Sequence, residues 1–278
     1  MPPEVAAERE LEVQGAVVPK IGLGTWELTG RDCEEAVRDA IELGYRHIDT
    51  ARAYENEQEV GAGIAAADRD EIFLTTKLSH EALRADEVRR QCEASLRALG
   101  TDHVDLLLIH WPNEDVPLEE TLGAMQRLRD EEKVRHLGVS NFTSGLLERA
   151  LSLAPVITNQ VEYHPYLAQP ALLELCRERD VMLTAYSPFA HGELLSDPVL
   201  TQVADAHGTT PAQVTLRWLI DQAQVSAVPK AASHNKRAAN IDVFDFELTD
   251  DERARIAELA GDGRRIDPPW APDWDEPR

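Results

Sequence analysis

The stretch EIFLTTKLSHEALRADEVRRQCEASLRALGTDHVDLLLIH (71–110) reads as one strand–helix–strand unit. EIFLTTK (71–77) is an apolar run that ends in a lysine, and HVDLLLIH (103–110) is a second that ends in a histidine. Between them, ADEVRRQCEASLRALG (85–100) places apolar residues at helical spacing and closes on Gly100, a residue suited to a helix end. Apolar strands joined through a helix belong to a parallel sheet covered on both faces.

The same alternation extends both ways. IGLGT (21–25), YRHIDT (45–50), VRHLGVSN (134–141), ITNQVEY (157–163), VMLTAYS (181–187) and VSAVPK (225–230) bring the strand-like runs to eight. Helical patterns lie over 32–44, 118–131, 145–153, 170–179, 211–223 and 248–261. Pro211 suits a first helical turn, and Thr249 suits a helix N-cap. Eight strands with helices between them predict an α/β fold, a single (β/α)8 TIM barrel over residues 1–278. An N-terminal hairpin (10–20) caps it, and the proline-rich 262–278 forms an extended C-terminal tail. A doubly wound nucleotide fold would need G-x-G-x-x-G, but GLGTWE (22–27) carries only the first two glycines.

Composition excludes several function classes. Acidic residues outnumber basic ones 51 to 28, a net charge of −23, which repels nucleic acid and anionic membranes. No run reaches the roughly 18–20 apolar residues of a membrane span. MPPEVAAERELEV (1–13) lacks the apolar core of a secretory signal. Cys33, Cys92 and Cys176 are scattered, odd in number and without metal-ligand spacing, so no disulfide framework and no metal site are expected. These features predict a reduced, cytoplasmic protein that works as a monomer. The acid excess with only 5 Lys against 23 Arg predicts adaptation to a high-salt cytoplasm; a high-GC genome favouring Arg is the competing cause.

Four polar residues sit where strands run out: Asp49, Tyr54, Lys77 and His110. The C-terminal end of a parallel barrel is where chemistry is done. Taken singly, Asp49 could cap a helix, Tyr54 could be a rim aromatic and His110 a core histidine. Lys77 is harder to explain away, because lysine is rare in a core. A carboxylate, a phenol, an amine and an imidazole brought together could form one proton-handling device.

The motifs DTARAYENE (49–57), DLLLIHWP (105–112), GVSNF (138–142), NQVEYHP (159–165), AYSP (185–188) and VPK (228–230), with the T-K strand end, follow one another in the order of the aldo-keto reductase superfamily. The chain resembles that family over roughly 15–275. The short segment after His110 and the APDWDE ending are similar to small prokaryotic reductases of the 2,5-diketo-gluconate reductase B type. The resemblance implies reduction of small carbonyl compounds, of methylglyoxal or diketo-sugar-acid type, with NADP(H), NAD(H) being a second option. It implies Tyr54 as proton donor, Lys77 lowering the phenol pKa, Asp49 holding Lys77, and His110 orienting the substrate oxygen.

For the cofactor the resemblance implies Gly24, Thr25 and Asp49, with Ser140, Asn141 and Gln160 on the nicotinamide carboxamide. It places Tyr186 under the ring, Ser187 at the pyrophosphate, and Lys230, Ser233, Lys236 and Asn240 at the adenosine end. Lys236 stands where the family commonly has Arg, and Ala231 and Ala239 stand where Ser and Glu are common, which weakens the expected NADP preference. Trp26 and Trp111 are expected as apolar walls of the substrate pocket, beside Tyr54 and His110. His80 and His164 receive no role. Two other readings remain: a nucleotide-binding regulatory barrel without turnover, and an aldolase or isomerase using Lys77 as a Schiff base.

Overall fold

The computed structural model describes residues 9–275. Most of the acidic N-terminal stretch and the last three residues of the tail lie outside the described residues. Eight parallel strands form one sheet in chain order: β3 (Leu23–Gly24), β4 (His47–Asp49), β5 (Phe73–Leu78), β6 (Val104–Ile109), β7 (Val134–Ser140), β8 (Val156–Glu162), β9 (Met182–Tyr186) and β10 (Val225–Ala227). Parallel bridges Ile21–Ala227 and Gly24–Lys230 join the first and last strands, so the sheet curls back on itself as a (β/α)8 barrel. Gly24 makes this seam possible. A Cβ there would come within 2.6 Å of the Val228 carbonyl oxygen.

β6 shows why the apolar runs make this barrel. Leu107 and Ile109 point outward into the layer shared with the helices. Leu106 and Leu108 point inward, packing with Ile157 and Met182 and with Val13, Ala16 and Val18. Those last three come from a hairpin, β1 (Glu10–Val13) and β2 (Ala16–Pro19), so the predicted N-terminal hairpin closes one end of the barrel with apolar side chains. Each fully buried leucine contributes about 1.5–3 kcal/mol.

The helix Ala85–Leu99 buries Val88, Cys92, Leu96 and Leu99 along one face and ends on Gly100 in the left-handed region, as its sequence predicts. Thr210 and Thr249 both accept from the backbone three residues on and start their helices with capping boxes. Three helices absent from the sequence reading are present: Glu57–Ile64, Pro198–His207 and His234–Ile241. The first is short and carries Gly61 and Gly63, whose bare backbones pack against Leu99 and Val37. Such close packing removes the apolar stripe by which a helix is recognised. No helix among the described residues is long and apolar enough to cross a membrane.

Candidate active site

The strand register sets the site. Gly24 pairs with Asp49, Asp49 with Thr75, and Lys77 with Leu108, at the end of the barrel opposite the hairpin. Asp49 is the last residue of β4, and a 3-10 turn (Arg52–Tyr54) then carries Tyr54 back over the strand ends. Asn56 pins that turn. Its amide donates to the carbonyls of Thr25 (2.8 Å) and Leu28 (2.9 Å), and its oxygen accepts from Thr50 Oγ1 (2.7 Å). Glu57 is buried and accepts from Thr76 Oγ1 (2.7 Å) and Arg52 (3.1 Å). The N-E of the DTARAYENE string is thus the clamp that holds Tyr54 in position.

The four strand-end residues meet. Lys77 Nζ, buried, donates to Asp49 Oδ1 (2.5 Å), to the Thr50 carbonyl (2.9 Å) and to Tyr54 Oη (3.3 Å). His110 sits edge-on to the Tyr54 ring, with centroids 5.6 Å apart at 76°. Burial pushes the Lys77 amine down, but Asp49 and Tyr54 outweigh it, and the net shift is upward, so Lys77 is a cation. Burial, then the charge of Lys77, pushes His110 down to about 3, and its imidazole is neutral at ordinary pH. The Tyr54 phenol corrects the sequence reading. Burial raises it more than Lys77 lowers it, so its net shift is upward.

These residues line a cavity of about 520 Å³. Asp49, Tyr54 and His110 reach it, as do Gly24, Thr25, Trp26, Trp111, Asn141, Gln160, Tyr186, Ser187 and Lys230. The structure therefore gathers most of the expected cofactor and substrate positions into one space. Lys77 lies beneath, in contact with Tyr54. Ser140 is buried and donates to the Gln160 carbonyl (2.7 Å), away from the cavity wall. Asn141 donates to the His110 carbonyl (2.9 Å) and accepts from Tyr186 Oη (2.7 Å).

Lys230 also lines an adjoining cavity of about 240 Å³, with Thr29 and Arg237. Ser233 and Lys236 are exposed near the start of the helix His234–Ile241, and Asn240 is buried at its end. Arg237, one residue beyond Lys236, is buried and bound to Asp39 (2.6 Å) and to the Ala231 carbonyl (3.0 Å). It does not substitute for an exposed arginine.

Several site residues were missed in the sequence. His80, given no role, lines the cavity and stacks on Trp270 (centroids 4.8 Å apart, interplanar 14°). Ser79, Glu81 and Ile266 line it too. His164, by contrast, is fully buried against Glu162 (3.1 Å). In the described part of the tail, Trp274 packs edge-on to Trp111, and Asp275 accepts from the backbone and hydroxyl of Ser144 (2.8 Å each). Among the described residues no group of three or more His, Cys, Asp or Glu could hold a metal.

The comparisons with known proteins agree with this geometry. The Aldo/keto reductase family pattern matches residues 20–260. A crystal structure described as a candidate 2,5-diketo-D-gluconic acid reductase B superposes with a TM-score of 0.96 at 43% identity, covering 98% of this chain and 99% of that one. An aldo-keto reductase of Bombyx mori, solved in complex with NADP, superposes with a TM-score of 0.86 at 34% identity, covering 93% of this chain and 94% of that one. Methylglyoxal reductase DkgB of Escherichia coli O157:H7 is 36% identical over 266 residues, 93% of this chain and 99% of its own length. With the fold and the motif order in agreement, the chain belongs to the aldo/keto reductase family, oxidoreductases that reduce carbonyl groups with NAD(P)H.

Proposed function

We propose that the protein reduces small aldehydes and ketones, of methylglyoxal or diketo-sugar-acid type, with NADP(H), and that Tyr54 donates the proton. The observation that carries this is the position of Lys77 Nζ between Asp49 and Tyr54 Oη, with His110 edge-on to the phenol ring. The substrate oxygen would accept from Tyr54, and the neutral His110 ring would orient it. A raised phenol pKa keeps Tyr54 protonated at neutral pH. As the proton leaves, Lys77 stabilises the charge that develops on the phenolic oxygen, and Asp49 with the Thr50 carbonyl holds Lys77 there.

The cavity suits a nicotinamide cofactor. The flat Tyr186 ring, fixed through its hydroxyl to Asn141, forms one wall, and Lys230 joins this cavity to the next. Gln160 and Asn141 would hold the carboxamide, Ser187 the pyrophosphate, and Lys230, Ser233 and Lys236 the adenosine phosphate. The bound cofactor supplies the hydride that no side chain can. Lys77 does not suit a Schiff base, because its nitrogen is a cation engaged with three acceptors.

The test is an NADPH- and NADH-oxidation screen over methylglyoxal, diketo-sugar acids and aromatic aldehydes in KCl, with borohydride trapping alongside. Oxidation with at least one of them supports the reading. Nucleotide binding without turnover of any would favour the regulatory barrel, and a trapped lysine adduct would favour aldolase chemistry.

A further inference from the structure

Two cavities meet at the open end of the barrel. The one over Tyr54 and His110 and a larger one of about 1020 Å³ share His80, Glu81 and Trp270. The shared wall thus presents two stacked rings and one carboxylate to anything that enters. Glu81 is exposed and makes no ion pair or side-chain hydrogen bond among the described residues. Beyond it the larger cavity adds Glu114, Asp115 and Asp273. Among the described residues its one arginine or lysine, Arg149, is bound to both oxygens of Glu119 (2.8 and 3.1 Å).

The inner cavity offers an anion little compensation. No arginine among the described residues lines it. Lys77 is bound to Asp49, and Lys230, on the side reading to the cofactor, lies 3.8 Å from Glu27. Arg264 packs its guanidinium on Trp274 (3.6 Å) and is not among the lining residues. His110 is neutral there. Trp26, Trp111 and Trp270 supply apolar wall instead, with Trp26 and Trp270 43% and 51% exposed at the rim.

We propose that this mouth is a charge filter: the site accepts uncharged aldehydes and ketones with an apolar or aromatic body and rejects carbonyl compounds that carry a carboxylate, with Glu81 the residue that sets the selection. The proposal rests on the carbonyl-reductase reading and divides its two substrate classes, admitting the methylglyoxal type and disfavouring the sugar acids. Tyr54 and His110 are taken up by the carbonyl oxygen, so a second, anionic group loses its water without an unpaired side-chain cation on this wall to meet it, while an apolar body gains three indole faces. Repulsion from one carboxylate on the wall of the same cavity, in a partly hydrated mouth, amounts to about fivefold in binding. Salt weakens it.

The test compares kcat/KM for 4-formylbenzoate and its methyl ester with NADPH, using the full chain. Wild type and Glu81→Gln are each measured at about 50 mM and about 1 M KCl. Comparing ester-to-acid ratios between the two proteins cancels the intrinsic reactivity of the aldehydes. The expected result is a ratio that drops about fivefold in Glu81→Gln at low salt and drops in wild type as salt rises. A ratio unmoved by both overturns the filter, as does a wild-type preference for the acid at low salt. A response to salt but not to the substitution overturns the assignment to Glu81. Turnover of neither aldehyde overturns the carbonyl-reductase reading itself, and the filter with it.

Discussion

The Gln160 side-chain amide donates to Asp49 Oδ2 at 2.7 Å, while Lys77 holds the other oxygen of the same carboxylate. Asp49 is therefore a buried two-sided anchor, fixing the lysine under Tyr54 on one side and a cavity-lining amide on the other. Lys77→Met leaves that carboxylate buried and half-satisfied. We expect a loss of about 3–5 kcal/mol in unfolding free energy. Turnover should fall by about 10²-fold or more, because the phenol loses its cation. Adding Asp49→Asn to Lys77→Met should recover most of the stability and none of the turnover. Urea unfolding and kcat on the three proteins check this; a Lys77→Met protein as stable as wild type would contradict it.

His110 gives a pH signature. Its folded-state pKa is about 3 against 6.5 for the free group, through burial and then Lys77. As pH falls below 6.5 the unfolded chain takes up a proton that the folded chain refuses. The stability linked to this group is therefore intact above that value and is lost progressively toward about 3. Wild type should lose more stability than His110→Gln between about pH 7 and about pH 5. Parallel urea titrations at the two pH values measure the difference, and identical slopes would show that the imidazole is not held neutral.

Cofactor choice is expected to turn on Lys236. It is exposed, close in sequence to Ser233 and Lys230 and free of an ion pair among the described residues, whereas Arg237 is bound to Asp39. A lysine keeps the charge of the usual arginine without its planar fork. NADPH should be preferred over NADH by a modest margin, about 1–2 kcal/mol. Lys236→Arg should widen the margin and Lys236→Ala nearly erase it. The readout is the ratio of kcat/KM for the two cofactors at fixed salt; an unchanged ratio in Lys236→Ala would show that this helix does not read the phosphate.

The charge of −23 sets a salt response. Screening weakens the ion pairs on the surface, but exposed pairs are worth only about 0–1 kcal/mol each. The repulsion it removes is spread over the whole surface. The melting temperature should therefore rise between low salt and molar KCl. A flat or falling curve would leave genome composition as the cause of the arginine excess.

Asp49, Lys77 and His110 were legible because each interrupts an apolar run at its end, a signal that survives in a single sequence. The motif order then made the family legible. His80 and Trp270 were not, since a stack between residues 190 positions apart in the chain follows no local period. The Tyr54 pKa direction was misread because sequence shows the neighbouring cation but not the burial that outweighs it. The resemblance puts Ser140 on the nicotinamide carboxamide, and no sequence signal shows that its hydroxyl donates to the Gln160 carbonyl across the β7–β8 pair.

The central claim is that Tyr54 is the proton donor, and Tyr54→Phe tests it most directly. The measurement is methylglyoxal-dependent NADPH oxidation, alongside NADPH binding by fluorescence on the same preparation. The account predicts turnover reduced by about 10³-fold or more with cofactor affinity unchanged. Turnover near the wild-type rate in a protein that binds NADPH normally would contradict it.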